Sequence, residues 1–147
     1  MKLFQTLIAG SPEQVVVDED TLKYTIAQLL QNNGDTPMNI FVFTDTYHAA
    51  AMMSKTLYEL LAEVSPIVYN KTMLSVQYLE NRILFRDAPK RYGDLYPLMG
   101  IDAAFIFASL GSLSDEMVGC VYSRLQMHST YDISGTVLET ALGRKEV

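Results

Sequence analysis

Basic and aromatic side chains are concentrated in one short stretch of a chain that is acidic as a whole. The candidate binding residues are Arg82, Arg86, Lys90, Arg91, Tyr78, Tyr92 and Tyr96. Arg82 and Arg86 have the same strand parity, so both guanidinium groups are expected on one face, and Tyr78 on a paired strand would join them. Guanidinium groups bind phosphates and carboxylates, and aromatic rings stack on bases. The sequence therefore predicts a basic and aromatic binding surface, although charges that only keep an exposed strand edge soluble would give the same pattern.

Other residue types that support catalysis or metal binding are too scattered to form a recognisable site. His48 and His128 are the two histidines, and neither belongs to a Cys, His or carboxylate cluster with ligand spacing. Ser109 to Ser112 follows an apolar run but lacks the G-x-S-x-G pattern of a nucleophile elbow. Cys120 lies among apolar residues, as expected for a small buried side chain. We predict no catalytic residue and no metal site.

Composition limits the class of protein. The 147 residues are 49% hydrophobic and 19% charged, which suits one domain spanning residues 1–147 with a single core. One cysteine excludes an internal disulfide, and no apolar run is long enough for a signal peptide or a membrane span. These features predict a cytoplasmic protein that does not enter the membrane. The net charge of −6 disfavours nucleic acid as a partner without excluding it.

Hydrophobic periodicity alternates between strand and helix along the chain. Residues 39–44 and 103–108 are almost continuously apolar, which is typical of strands covered on both faces in a parallel sheet. Residues 18–30, 47–64 and 114–128 have helical spacing, and residues 1–10 suit either a helix or a strand, ended by Ser11-Pro12-Glu13. Two short strands, 73–78 and 82–86, form a β-hairpin in which Asn81 could take the positive φ of a tight turn. We predict an α/β fold with three layers, a mainly parallel sheet covered by helices and a hairpin at residues 73–86.

Part of this pattern resembles a known family. The run from Ile40 to Met53 resembles the strand and helix that follow the phosphate loop in phage terminase large subunits and related helicase-like ATPases. The strand from Glu80 to Arg86 is similar to a later strand of that family, and residues 103–108 stand in the place of its Walker B strand. The resemblance implies a P-loop-like scaffold, a viral source and a relation to DNA packaging.

The residues that perform the chemistry of that family are missing. Phosphoryl transfer needs a phosphate loop of the form G-x-x-x-x-G-K-[ST] and carboxylates that hold a metal ion. The nearest candidate loop, residues 9–14, has no lysine and includes Glu13, and the Walker B-like strand ends in Ser109. Asp115 and Glu116 follow later, where they suit the first turn of a helix. We therefore expect no ATP hydrolysis and predict no cofactor.

The chain is rich in side chains that favour protein interfaces. It has nine tyrosines and eight methionines, two residue types that are enriched at contacts between proteins. The main hypothesis is a non-catalytic protein-interaction or assembly module that binds a protein partner or forms a homo-oligomer. One alternative is a nucleic-acid or nucleotide-binding module that uses the basic residues from Arg82 to Arg91. A second alternative is a small enzyme whose site is not recognised.

Overall fold

A computed structural model describes residues 2–8, 11–63, 67–95, 103–123, 125 and 131–139. The strands are β1 (Leu3–Ile8), β2 (Ser11–Asp18), β3 (Asn39–Thr44), β4 (Ile67–Asn70), β5 (Ser75–Tyr78), β6 (Asn81–Asp87) and β7 (Phe105–Ser109). The helices are α1 (Glu19–Asn32), α2 (Tyr47–Leu61) and α3 (Asp115–Tyr122), with a short 3-10 helix at Tyr92–Leu95. The alternation of strands and helices gives an α/β fold.

The described strands form one sheet in the order β2-β1-β7-β3-β6-β5-β4. β3 pairs in parallel with both β6 and β7, whereas the pairs β1–β2, β1–β7, β4–β5 and β5–β6 are antiparallel. The sheet is therefore mixed, and the prediction of a mainly parallel sheet is wrong. The long apolar strands at the centre are parallel, as predicted, but β4, β5 and β6 follow one another through short connections, which permit only antiparallel pairing. β1 also lies antiparallel to β7, which is far along the chain.

The predicted hairpin is confirmed, with one correction. β5 and β6 pair antiparallel around the two residues Leu79 and Glu80, and Leu79 rather than Asn81 has the positive φ, at 53°. Asn81 lies inside β6, fully buried, where its Nδ2 donates a 2.9 Å hydrogen bond to the Asn33 carbonyl at the end of α1. That bond fixes Asn81 in the strand, so the turn begins at Leu79.

In the amino-terminal region, the strand, one of the two predicted alternatives, is confirmed by β1. Ser11-Pro12-Glu13, however, belong to the following strand instead of breaking the chain. β2 is an edge strand of the described sheet, the position in which strands accommodate proline. α3 ends at Tyr122, earlier than the predicted 128, and residues 126–130 lie outside the described part of the chain.

Buried side chains form two clusters, one on each face of the sheet. The first contains Leu22 and Ile26 of α1 and Leu57 of α2, packed on Ile40 and Phe85 of the central strands. The second contains alternate residues of the same strands, such as Phe41 and Leu84, packed against Met117 and Val121 of α3. In the described part of the chain no helix combines the length and hydrophobicity needed to cross a membrane.

Candidate functional site

The four basic residues of the predicted surface do not lie together. Arg82 is at the start of β6 opposite Gln77, and Arg86 is four residues further along the same strand, opposite Phe43 of β3. At about 3.3 Å per residue, their backbones are separated by roughly 13 Å. Lys90 and Arg91 follow β6 in the loop that packs towards α3. No single phosphate-sized ligand can contact all four groups.

Arg86 has a structural role. Its guanidinium donates to the main-chain carbonyl of Phe85 at 2.7 Å and also to that of Met73. Burial lowers the pKa of this guanidinium, although Asp87 and Tyr47 act in the opposite direction. The side chain thus fixes the turn between β4 and β5 to the end of β6, and one of its guanidinium nitrogens is occupied by main-chain carbonyls.

The loop after β6 is organised by Asp94 and by α3. The Asp94 carboxylate accepts hydrogen bonds from the backbone N–H groups of Lys90 (3.0 Å) and Arg91 (3.3 Å), and the Lys90 bond is the main reason that the pKa of Asp94 is lowered. Tyr92 donates to Glu116 of α3 at 3.3 Å, and its pKa is raised first by Cys120 and then by Glu116. Lys90 and Arg91 remain exposed beside acidic partners.

The aromatic residues of the predicted surface are equally dispersed. Tyr78 pairs with Asn81, so it lies on the face of Ile83 and Phe85, opposite to that of Arg82 and Arg86. The expectation that Tyr78 shares the arginine face is therefore wrong, because residues directly across an antiparallel pair point to the same side. Tyr96 lies outside the described residues.

The carboxyl ends of the central parallel strands form a crevice, the usual place for ligands of α/β sheets. β3 leads to α2 on one face and β7 leads to α3 on the other face. A space of about 450 Å³ there is lined by Lys2, Leu3, Ser109 and Leu110. Lys2 is paired with Asp45 at 3.3 Å, which also lowers the pKa of Asp45. The carboxylates of Asp115 and Glu116 lie in the first turn of α3, and residues 11–14 of the candidate phosphate loop belong to β2.

A second groove of about 450 Å³ runs along α2 beside the last strand of the described sheet. It is lined by Tyr47, His48, Ala51, Met52, Lys55, Tyr58, Glu59, Tyr69, Lys71 and Leu74. α2 begins where the Thr46 hydroxyl accepts a hydrogen bond from the Ala49 N–H. One stripe of α2, including Met53 and Leu57, packs into the core, so the neighbouring positions form the wall of the groove.

The floor of this groove is rigid and aromatic. The rings of Tyr58 on α2 and Tyr69 on β4 are stacked, with centroids 5.1 Å apart and planes inclined by 18°. The Tyr69 hydroxyl is 3.0 Å from the Ser54 hydroxyl, and Ser54 donates to the Ala51 carbonyl. Offset aromatic pairs are favourable and restrict both rings, so β4 is held at a fixed distance from α2.

β4 has a free long side among the described strands, because it is last in the sheet order and pairs only with β5. An edge strand presents N–H and C=O groups that can pair with another chain. Ile67 and Tyr69 turn towards α2, whereas Val68 is 65% exposed on the other face. β4 has four residues, Ile-Val-Tyr-Asn, and none of them is charged.

The charged side chains that line the groove are predominantly basic. Lys55 and Lys71 lie beside a single acid, Glu59, in a molecule with a net charge of −6. Tyr47 and Met52 add large apolar surface, with 60% and 58% of their areas exposed. In the described residues, no three His, Cys, Asp or Glu side chains come close enough together to hold a metal ion.

The groove was not predicted from the sequence, because its strand β4 was not predicted. Four residues are too few to give a clear period-two signal, and Pro66 suggested only the end of a helix. A usable signal was present in α2, where Tyr47, Met52 and Lys55 lie outside the core-facing stripe but are large and partly apolar. Such residues on an exposed helix flank indicate a contact surface.

No protein-family model matches the chain, and no match is found among curated proteins or among solved structures. The functional proposal therefore depends on the geometry of the molecule.

Proposed function

We propose that the chain is a non-catalytic protein-interaction module that binds an extended segment of a protein along β4. The observation that carries this proposal is the position of a free edge strand beside a preformed aromatic groove. Two elements of recognition are supplied at once, since the strand offers backbone hydrogen bonds and α2 offers side-chain contacts.

The mode of binding follows from strand geometry. A segment added beside β4 would place alternate side chains towards α2, against Tyr58 and Lys55, and the others beside Val68. Hydrogen bonds between the two backbones would supply affinity, and the groove would determine which side chains of the bound segment are accepted. Because the Tyr58–Tyr69 stack already fixes the strand and the helix, little ordering would be needed on binding.

The test is selection of binding peptides from a random library displayed on phage, followed by titration of synthetic peptides. Peptides selected on the wild-type chain should lose at least about tenfold in affinity for Val68→Lys, because a rim charge and a lost apolar contact each cost about 1 kcal/mol or more. Methylation of alternate peptide nitrogens should abolish binding. NMR shift changes should map to residues 67–71 and to the flank of α2.

A matched control is Leu110→Lys, at a side chain that is 51% exposed and follows β7, four strands away from β4 in the sheet order. It should leave peptide affinity unchanged. Failure to enrich any peptide, or equal binding to Val68→Lys, would contradict the proposal.

Two finer features of the architecture belong to the same proposal. We infer a three-layer arrangement, supported by α1 and α2 packing on one face and α3 on the other. We also keep the relation to a viral ATPase scaffold as a proposal, supported by the parallel pairing of β3 with β7. Nucleic acid is not proposed as the partner, because the four basic residues lie in separate places.

A further inference from the structure

The described sheet has two free edges, and its two outermost strands run in the same direction. Following the pairings across the sheet, β2, β7, β3, β6 and β4 are all parallel in direction, and β1 and β5 oppose them. If a second copy is placed beside the first without inversion, its β2 lies next to β4 as a parallel strand. The carboxyl ends of these two strands then meet.

The charges at these carboxyl ends are complementary. β2 ends in Asp18 and is followed at once by Glu19 and Asp20. β4 ends in Asn70 and is followed by Lys71, which lines the groove with Lys55. Asp18 accepts a hydrogen bond from the Thr21 N–H, which lowers its pKa, and Glu19 is 3.8 Å from Lys23, but Asp20 is exposed. An acidic corner of one copy thus fits the basic corner of the next.

The apolar residues also match. Val17 faces the first core cluster, as Tyr69 does, and their neighbours Val16 and Val68 are exposed on the opposite face. In a parallel pair with Val16 beside Val68, both faces of the sheet remain continuous. Only residues 15–18 of β2 are needed opposite the four residues of β4, so Pro12 does not interfere.

We propose that the β2 edge of a second copy of this chain binds the β4 edge, head to tail and in parallel. This inference rests on the proposed function of β4 and identifies the segment that pairs with it. The contact is heterologous, because the β2 edge of each copy pairs with one neighbour and its β4 edge pairs with another. Assembly therefore continues as an open chain or until a ring closes. A pairing of four residues buries little area, so the association is weak and depends on concentration.

Sedimentation velocity of the full chain at increasing concentration tests the proposal. The weight-average mass should rise continuously with concentration from the 16.5 kDa of one copy and exceed the mass of a dimer without a plateau there. Raising salt from about 0.05 M to about 0.5 M should reverse the rise, because the Debye length falls by roughly threefold.

Two substitutions separate the two edges. Val16→Lys blocks the β2 edge and Val68→Lys blocks the β4 edge, at side chains that are 49% and 65% exposed. Each variant alone should stay at the mass of one copy. An equimolar mixture should form dimers and nothing larger, because only one intact β2 and one intact β4 can meet. Circular dichroism of each variant should confirm that it is folded.

The alternative outcomes are distinct. A wild-type chain that stays monomeric yet binds library peptides at β4 would overturn the inference and leave the proposed function standing. A dimer that is lost on Val68→Lys and unaffected by Val16→Lys would indicate pairing of two β4 strands, and would also overturn it. If Val68→Lys changes neither assembly nor peptide binding, both proposals are wrong.

Discussion

The two edges of the sheet differ in how they are built. β2 has eight residues, pairs with β1 along most of its length and passes directly into α1. β4 has four residues and is held by β5 and by the contacts of Tyr69 with α2. One edge is therefore long and acidic at its carboxyl end, with Pro12 only near its start, and the other is short and lies beside two lysines. Two edges of one sheet can thus differ in length and charge and still each leave four residues open to pairing.

The largest expected effect comes from truncating the core beneath each edge. Leu57→Ala in α2 and Leu22→Ala in α1 each remove a side chain that is almost completely buried, which costs about 2–5 kcal/mol in the free energy of unfolding. Urea denaturation measures the loss. Leu60→Ala, at a residue that is 39% exposed, is the control and should cost much less.

Hydrogen exchange distinguishes the two truncations. Leu57→Ala should increase exchange in residues 67–70, and Leu22→Ala should increase it in residues 15–18. Equal exchange at both edges in both variants would mean that the two edges open together and are not independent regions of the sheet.

A smaller effect is expected from the N-caps of the two helices. Thr46→Ala removes the cap of α2 and should cost about 1 kcal/mol at any pH. Asp18→Ala removes the cap of α1, but its effect should depend on pH. The pKa of Asp18 is lowered from 3.8 by its bond to Thr21, so the stabilisation is complete above that value and is lost as the pH falls through the folded pKa. Thermal unfolding at neutral and acidic pH measures the difference, and a pH-independent Asp18→Ala effect would show that the carboxylate charge is not involved.

Tyr69→Phe should have a modest effect on stability. It removes the hydroxyl that lies 3.0 Å from Ser54 but keeps the ring on Tyr58, and Ser54 retains its bond to the Ala51 carbonyl. The expected loss is about 0.5–1.5 kcal/mol, measured by chemical denaturation. Tyr58→Phe keeps the stack and is the matched control. Loss of peptide binding in Tyr69→Phe without loss of stability would assign the hydroxyl to recognition.

The smallest effect on stability belongs to the exposed charges. Lys71→Glu and Asp20→Lys should each change the free energy of unfolding by less than about 0.5 kcal/mol. Each should nevertheless weaken assembly in the ultracentrifuge, and the double variant should restore it, because the two charges are exchanged. If the double variant is as weak as the single ones, the difference in charge between the two edges does not direct their pairing.

The sequence predicts the elements better than their arrangement. β3 and the hairpin could be found from residue types, because continuous apolar residues and a short polar turn have direct local causes. The direction of β1 depends on its pairing with β7, far along the chain. The four residues of β4 are too few to give a local period-two pattern. The contacts of the predicted binding surface could not be read from the sequence: shared parity places Arg82 and Arg86 on one face, but only the tertiary structure shows that Arg86 binds main-chain carbonyls.

The amide groups of Asn32 and Asn33, at the end of α1, donate to the carbonyls of Asp132 and Ser134, some 100 residues away. Leu138 is fully buried in the same core as Leu22 and Ile26. During synthesis, α1 leaves the ribosome long before these partners exist, so the side-chain amides at its end and the part of the core filled by Leu138 wait for the last described segment. The native packing around α1 is therefore completed only after residue 138 has emerged.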